Sequence, residues 1–514
     1  VNPEHLELLQ TPEWNEWRAA RASLTPDFTD VRLHGVDLSG KNLSGADLSR
    51  SKLEGCNLEG ANLARAHLQG VSLNGSKLDR ADMSDTDLDY LLLDRVSFVG
   101  ANFRNTTIRS ATVRETILKA ADFTGAKLDG TDFQGTDFSY GRLLYANFRG
   151  AGIDKCIFEG CDLTQAVFDG VTYRGGNFEK ANLTLAFLRD AKLTGTSFKG
   201  AKLQRTVFRG AEISKTDFTG CDASEADFER CVAQFANFTD AILKKTSAHR
   251  CDLRNSVFAN AQLEEADLAG AFLDKIDLRT PRLKLVSFIG ARMPEAQGAR
   301  ANLRGSNFSE ADLAASDLQE ANLEGCILTK AKIARANLRK ANLKRSRLTE
   351  ANAVGANLSG ANLFGVEAEN ADFSASDLRF AQLVGAKLDG AQFKQANIGS
   401  ADFTEARLGG SSFVGAFGEN AKFTGQLHLK LVLAASSFLG SAKKKSEQIE
   451  KAKEVERLQR LAALERAADE RARAMGIRRD DAGGDAATTK SMTRTGAQPR
   501  PNPGATRPGG PRKD

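Results

Sequence analysis

Residues 321–350 read ANLEG CILTK AKIAR ANLRK ANLKR SRLTE when cut into fives. The first place of each unit is small: Ala321, Cys326, Ala331, Ala336, Ala341 and Ser346. The third place is large and apolar: Leu323, Leu328, Ile333, Leu338, Leu343 and Leu348. Asp or Asn often stands between them, as in ADLSR at Ala46–Arg50. Followed outward, this phase runs from Phe28 to Phe423, 80 units without a slip. The large place is lost only at Ala223, Ala233, Ala248, Gly298, Ala353, Ala368 and Gly418. Of the 30 Phe residues, 24 fall in this phase, 23 of them within the run, so one phase carries almost all the aromatic core material.

A period of five suits neither a helix nor an ordinary strand, whose side chains repeat at 3.6 and 2. One large and one small inward residue per five suit a very short strand followed by a tight turn. The phenylalanines show how many such units make one coil. Phe138, Phe158, Phe178, Phe198, Phe218, Phe238 and Phe258 are spaced by 20. A 20-residue coil of four units stacks these rings in a column, where offset aromatic contact adds to burial. Twenty coils at ~4.8 Å each predict a body roughly 95 Å long.

The units resemble the pentapeptide-repeat family, whose pattern is A(D/N)LXX, over about residues 26–424. The resemblance implies an all-β solenoid: a right-handed, four-sided β-helix with the Leu or Phe and the small residue inside. Right-handed coiling agrees with the handedness of parallel crossovers. The family supplies no common activity. Some members resemble DNA in shape and charge and bind topoisomerases. The segment His5–Arg18, with WNEWR at its end, resembles the leader that often precedes such repeats.

A solenoid exposes unpaired strand at its ends and needs caps. Residues 1–25 read as a helical N-terminal cap, with Thr11-Pro12-Glu13 as N-cap, N1 proline and first-turn acid. Trp14 and Trp17 share a face and cover the first coil. Pro281, Pro294 and Gly298 predict a local bend or loop within 281–300. After Gly425 the period becomes two (Leu427, Leu429, Leu431, Leu433), which predicts a closing strand over 425–441. A charged amphipathic helix follows over 442–476, with Gly476 as its stop, and residues 477–514 form a disordered basic tail rich in Gly, Pro, Thr and Arg.

Charge and composition exclude more than they select. The segment 443–514 has 18 Lys and Arg against 11 Asp and Glu; of the chain's net +5 it carries +7, leaving −2 for the first 442 residues. DNA mimicry needs dense negative charge, which that body lacks. The start, VNPEHLELLQTPEWNEW, has no apolar run of signal type, and no stretch reaches the ~18 apolar residues of a membrane helix. The expectation is a cytoplasmic protein. Cys56, Cys156, Cys161, Cys221, Cys231, Cys251 and Cys326 all hold the small inward place, without a C-x-x-C, and read as free buried thiols. Cys231 and Cys251 stack one coil apart, and a disulfide there is geometrically conceivable. The histidines His5, His34, His67, His249 and His428 share no column. No cofactor, metal, catalytic group or small-molecule substrate is expected.

Three surface features rise above the repeat. Lys330, Lys332, Arg335, Arg339, Lys340, Lys344, Arg345 and Arg347 form a basic belt, with no acid between Glu324 and Glu350. It reads either as a solvated face partly paired with acids one coil away or as an attractor of phosphate groups or an acidic protein. Val167, Phe187 and Val207 put an apolar column at a normally polar place, which reads as a contact strip or as cover for a neighbouring side. The helix after residue 442 can form a homodimeric coiled coil, bind a partner helix or fold back. The expected function is that of a non-enzymatic scaffold or adaptor for protein partners. The alternatives are a DNA-mimic topoisomerase binder and a binder of nucleic acid or an anionic membrane through belt and tail.

Overall fold

The computed structural model describes residues 2–173 and 176–424. The expected closing strand, C-terminal helix and basic tail lie outside the described residues. The body is the right-handed β-solenoid expected, with parallel pairing of n to n+20 from Asp27↔Asp47 to Asn397↔Phe417. Only the units in a few places extend to full strands, such as Leu92–Asp94, Thr112–Arg114, Asp132–Gln134 and Gly152–Asp154, which pair in register.

The hydrogen bonds explain the spacing. Leu48 N–H donates to His67 O (2.9 Å), Arg50 N–H to Gln69 O (2.8 Å), and His67 N–H back to Ala46 O (2.9 Å), so each coil is tied to the next on every side. Each corner is a tight turn closed by bonds such as Ser51 N–H to Leu48 O (3.1 Å). The fifth residue of the unit takes a left-handed conformation, from Asp30 (φ 58°) to Asn420 (φ 62°). Gly is common there, but Arg, Lys, Glu and Tyr take it too. Left-handed backbone costs a non-glycine residue about 1–2 kcal/mol. The ladder bond that its N–H makes to the next coil offsets part of that cost.

The second place is polar for a local reason. Asp47 Oδ1 accepts from Ser49 N–H (2.9 Å) and Asp122 Oδ1 from Thr124 N–H (3.0 Å), which ties the residue entering the corner to the side before it. Asn residues also pair between coils, as in Asn342 Nδ2–H to Asn322 Oδ1 (3.1 Å). Many inward Ser, Thr and Cys donate to a carbonyl of the preceding coil, for example Thr206 to Leu183 O (2.8 Å) and Cys326 to Leu303 O (2.9 Å), and others to the carbonyl three residues back, as Ser346 to Leu343 O (2.6 Å). Most inward polar atoms thus enter the core with a hydrogen bond, the exceptions among the described residues including the hydroxyls of Thr136, Thr196 and Ser316.

The core is a set of columns. Phe138 and Phe158 are 4.8 Å apart, and the run continues through Phe178, Phe198, Phe218 and Phe238 to Phe258 at 4.8–5.2 Å with nearly parallel rings. Neighbouring columns meet edge to face, as Phe198 and Phe208 do at 5.6 Å. Tyr173 fits the same place because its hydroxyl donates to Cys156 O (2.7 Å) and accepts from Asn177 N–H (2.6 Å). Gly176 beside it leaves room for that ring, which any Cβ would strike.

The N-terminal cap is helical but is two helices, α1 (Pro3–Leu9) and α2 (Trp14–Ala20). Thr11 is not the N-cap of α2. Its hydroxyl donates back to Leu8 O (2.9 Å), while Glu13 holds the N-cap position without a side-chain cap. Pro12, with no N–H, keeps the two helices from merging. Trp14 is fully buried, stacked on Trp17 (5.2 Å) and against Phe28 (5.7 Å), and its Nε1–H donates to Asn42 O (2.9 Å). Arg18 donates to Ser44 O (2.8 Å), so α2 satisfies edge carbonyls of the first coil.

The bend expected across 281–300 narrows to Thr280–Pro281. Among the described fifth-place residues from Asp30 to Asn420, Thr280 alone lacks a positive φ, because proline restricts the residue before it. The pairings Val257–Asp277 and Arg282–Asn302 drop out of the ladder, and Asn260 N–H turns to Thr280 Oγ1 (3.2 Å). The units at Pro294 and Gly298 are regular: Glu295 keeps φ 56°, and Leu318 leans into the space at Gly298.

Candidate interaction surface

Side chains at the corners lean toward the next coil. Where that coil has glycine they lie over it, as Arg335 over Gly355 and Lys340 over Gly360 (Cγ 3.5 Å from the position of a Cβ in each case). This lean pairs charges along columns: Arg50–Asp30 (2.7 Å), Arg205–Glu225 (2.8 Å) and Arg300–Glu320 (2.9 Å).

The basic belt only partly follows this habit. Arg347 reaches Glu367 (3.0 Å), which also takes Lys387 (2.6 Å), and Lys330 reaches Glu350 (3.8 Å). Hydrogen bonds from Lys387 and then Arg347 hold the Glu367 carboxyl below its usual range. The other six, Lys332, Arg335, Arg339, Lys340, Lys344 and Arg345, make no salt bridge among the described residues. Arg335, Arg339 and Arg345 have no acid one coil away in their own columns either. Lys344 instead sits 5.7 Å from the ring centre of Phe364. The eight residues occupy different columns, so the belt encircles one coil and is not a single patch.

Val167, Phe187 and Val207 stack in one column, as n to n+20 requires. All three are half-buried, and the Arg189 guanidinium lies 4.6 Å over the Phe187 ring. More open apolar groups stand at corners: Tyr90 (81% exposed), Tyr140 (64%), Phe235 (54%) and Leu285 (50%). Sequence reading passed over these four. Their signal is a large apolar residue in the fifth place, where the left-handed corner turns the side chain outward.

All seven cysteines are buried, and none forms a disulfide. Burial pushes the Cys161 and Cys326 thiols up to about 12. It also raises Cys56, Cys156, Cys221 and Cys251. Among the described residues, no group of His, Cys, Asp or Glu is placed to hold a metal. His5 belongs to the cap, where its Nδ1 accepts from Asp27 N–H (3.2 Å) and its ring lies 5.3 Å from Trp17. Among the same residues, no helix is long and apolar enough to cross a membrane.

A stack of short-sided coils that share one backbone path and pair n to n+20 defines a repeat solenoid. Residues 26–103 match the family described as pentapeptide repeat region, and segments between 116 and 425 match the one described as pentapeptide repeats, in 8 copies. The chain belongs to the pentapeptide-repeat family. Among solved structures it is similar to HetL, a pentapeptide repeat protein involved in heterocyst differentiation regulation from the cyanobacterium Nostoc sp. strain PCC 7120. Identity is 23% over 50% of this chain and 94% of that one, with a TM-score of 0.24. It is similar also to Rfr23 from the cyanobacterium Cyanothece 51142 (32% identity, 18% of this chain, 64% of that one, TM-score 0.18). A third is full-length QnrB1, a plasmid-mediated fluoroquinolone resistance protein (16%, 35% and 92%, TM-score 0.16). No match is found among curated proteins.

Proposed function

We propose that this protein is a non-enzymatic scaffold that binds protein partners through the outside of its solenoid. The observation that carries the reading is the belt. Six cations of one coil make no salt bridge among the described residues, and no acid stands between Glu324 and Glu350 to offset them. Three of the six, Arg335, Arg339 and Arg345, carry guanidinium groups, whose planar fork suits the carboxylates of a partner. An acidic protein is therefore the preferred partner class. DNA mimicry is disfavoured by the −2 charge of the first 442 residues. Nucleic acid is a poorer partner, because the ring beside the belt, Phe364, is only partly open and already has Lys344 5.7 Å from its centre. The segment after Ala442, basic by sequence, serves in this reading to recruit or tether partners, and pairing with a second copy is one way it does so.

The test is charge reversal of Arg339, Lys340, Lys344 and Arg345 together in the full chain. Capture of partners on the immobilised protein should fall while its melting temperature holds, because all four are outward residues. Undiminished capture across a salt series would overturn the reading.

A further inference from the structure

The corner column through residue 345 holds Leu285, Gly305, Gly325 and Arg345 in successive coils. Two glycines in a row leave a notch of about 340 Å³, lined by Lys284, Leu285, Arg304, Glu324 and Arg345 above the glycine floor. Leu285 leans over Gly305, while nothing lies within 4 Å of the place a Cβ would take at Gly325. The notch therefore has an apolar wall at one end and an open floor at the other. Around it stand three cations, with Lys344 one residue from Arg345. The one carboxylate of the lining, Glu324, faces Arg304 at 3.9 Å.

We propose that this notch docks an acidic, extended segment of a partner protein, with one apolar side chain seated beside Leu285 and carboxylates opposite Lys284 and Arg345. The proposal rests on the scaffold reading above and names the kind of segment bound. The spacing supports a particular pattern. Lys284 and Arg345 are three coils apart, which at ~4.8 Å per coil is about 14 Å. An extended chain covers about 13 Å from residue i to i+4, with i, i+2 and i+4 on one face. An acid–x–apolar–x–acid segment running along the solenoid axis thus places its acids at the two ends and its apolar group over the glycines. A nucleic acid strand fits less well, because the floor is apolar and the column offers no free aromatic face.

The test uses the full chain and a fluorescein-labelled peptide with an Asp-Ala-Leu-Ala-Asp core, read by fluorescence anisotropy at low and physiological salt. Three comparison probes are the peptide with Leu replaced by Ser, the peptide with both Asp replaced by Asn, and a short single-stranded oligonucleotide. Gly325→Gln fills the notch without changing charge. It should fold, since Gln165 and Gln395 hold the same conformation at the fifth place (φ 59° and 57°). Binding should weaken about tenfold or more in Gly325→Gln, in Lys284→Glu, and for either altered peptide. Lys199→Glu, an exposed cation several coils away from both belt and notch, should leave it unchanged. No binding of the core peptide, or equal binding by Gly325→Gln, overturns the proposal. So does an oligonucleotide that binds more tightly and ignores the filled notch. Loss of partner capture in the four-fold belt variant with no binding of the core peptide would overturn the notch alone and leave the scaffold reading standing.

Discussion

Replacing Phe198 tests the architecture most directly. The ring is fully buried, stacked between Phe178 (5.0 Å) and Phe218 (5.2 Å), and met edge-on by Phe208 (5.6 Å). Truncating a buried Phe to Ala costs about 3–5 kcal/mol through lost transfer and the cavity left behind. Each aromatic contact adds ~0.5–1.5 kcal/mol beyond area. Phe198→Ala therefore belongs at the top of that range, about 5 kcal/mol. Phe198→Asp costs more, since it also buries an unpaired charge. Lys199, the next residue, is exposed and makes no salt bridge among the described residues, so Lys199→Asp should stay within about 0.5 kcal/mol. The assay is urea unfolding followed by circular dichroism, with amide hydrogen exchange by mass spectrometry. Each coil contacts only its neighbours, so the loss should concentrate as faster exchange between about residues 178 and 218. Equal midpoints for Phe198→Asp and Lys199→Asp would refute the inward–outward assignment. Uniform loss of protection along the chain would refute nearest-neighbour coupling.

Three further predictions follow from particular residues. The seven buried thiols, with Cys161 and Cys326 pushed up to about 12, should resist a thiol reagent at pH 8 and react in urea; fast native labelling of most of them would contradict their placement. Asp252 is held near a pKa of about 2, first by its hydrogen bonds to Arg254 and then by Gln234. The pKa is lowered on folding, so its contribution is present above the ordinary value of 3.8 and is lost as pH falls through about 2. Asp252→Asn should therefore remove up to about 2 kcal/mol of acid-dependent stability, seen as a shallower fall in urea midpoint between pH 5 and pH 2. Removing residues 442–514 should leave the melting temperature of the repeat body intact while weakening partner capture most at low salt, where charge is least screened; a collapsed melting temperature would make the segment a structural cap.

Sequence alone determined the period, the 20-residue coil, the phenylalanine columns and the inward place of every cysteine. The reason is that each side of the coil is built by five consecutive residues, and the register of 20 is a multiple of that unit. Local pattern and tertiary contact are then the same information. Tertiary structure decided what depends on how side chains lean between coils. It showed that the Arg189 guanidinium lies over Phe187 and that the Lys344 ammonium sits 5.7 Å from the centre of a Phe364 ring that stays 43% exposed. It also put the opening at Gly325, between Leu285 and Arg345, which lie 60 residues apart in the chain. A side chain that rests on the neighbouring coil can fill, cover or open a surface there, and no window of sequence contains both partners.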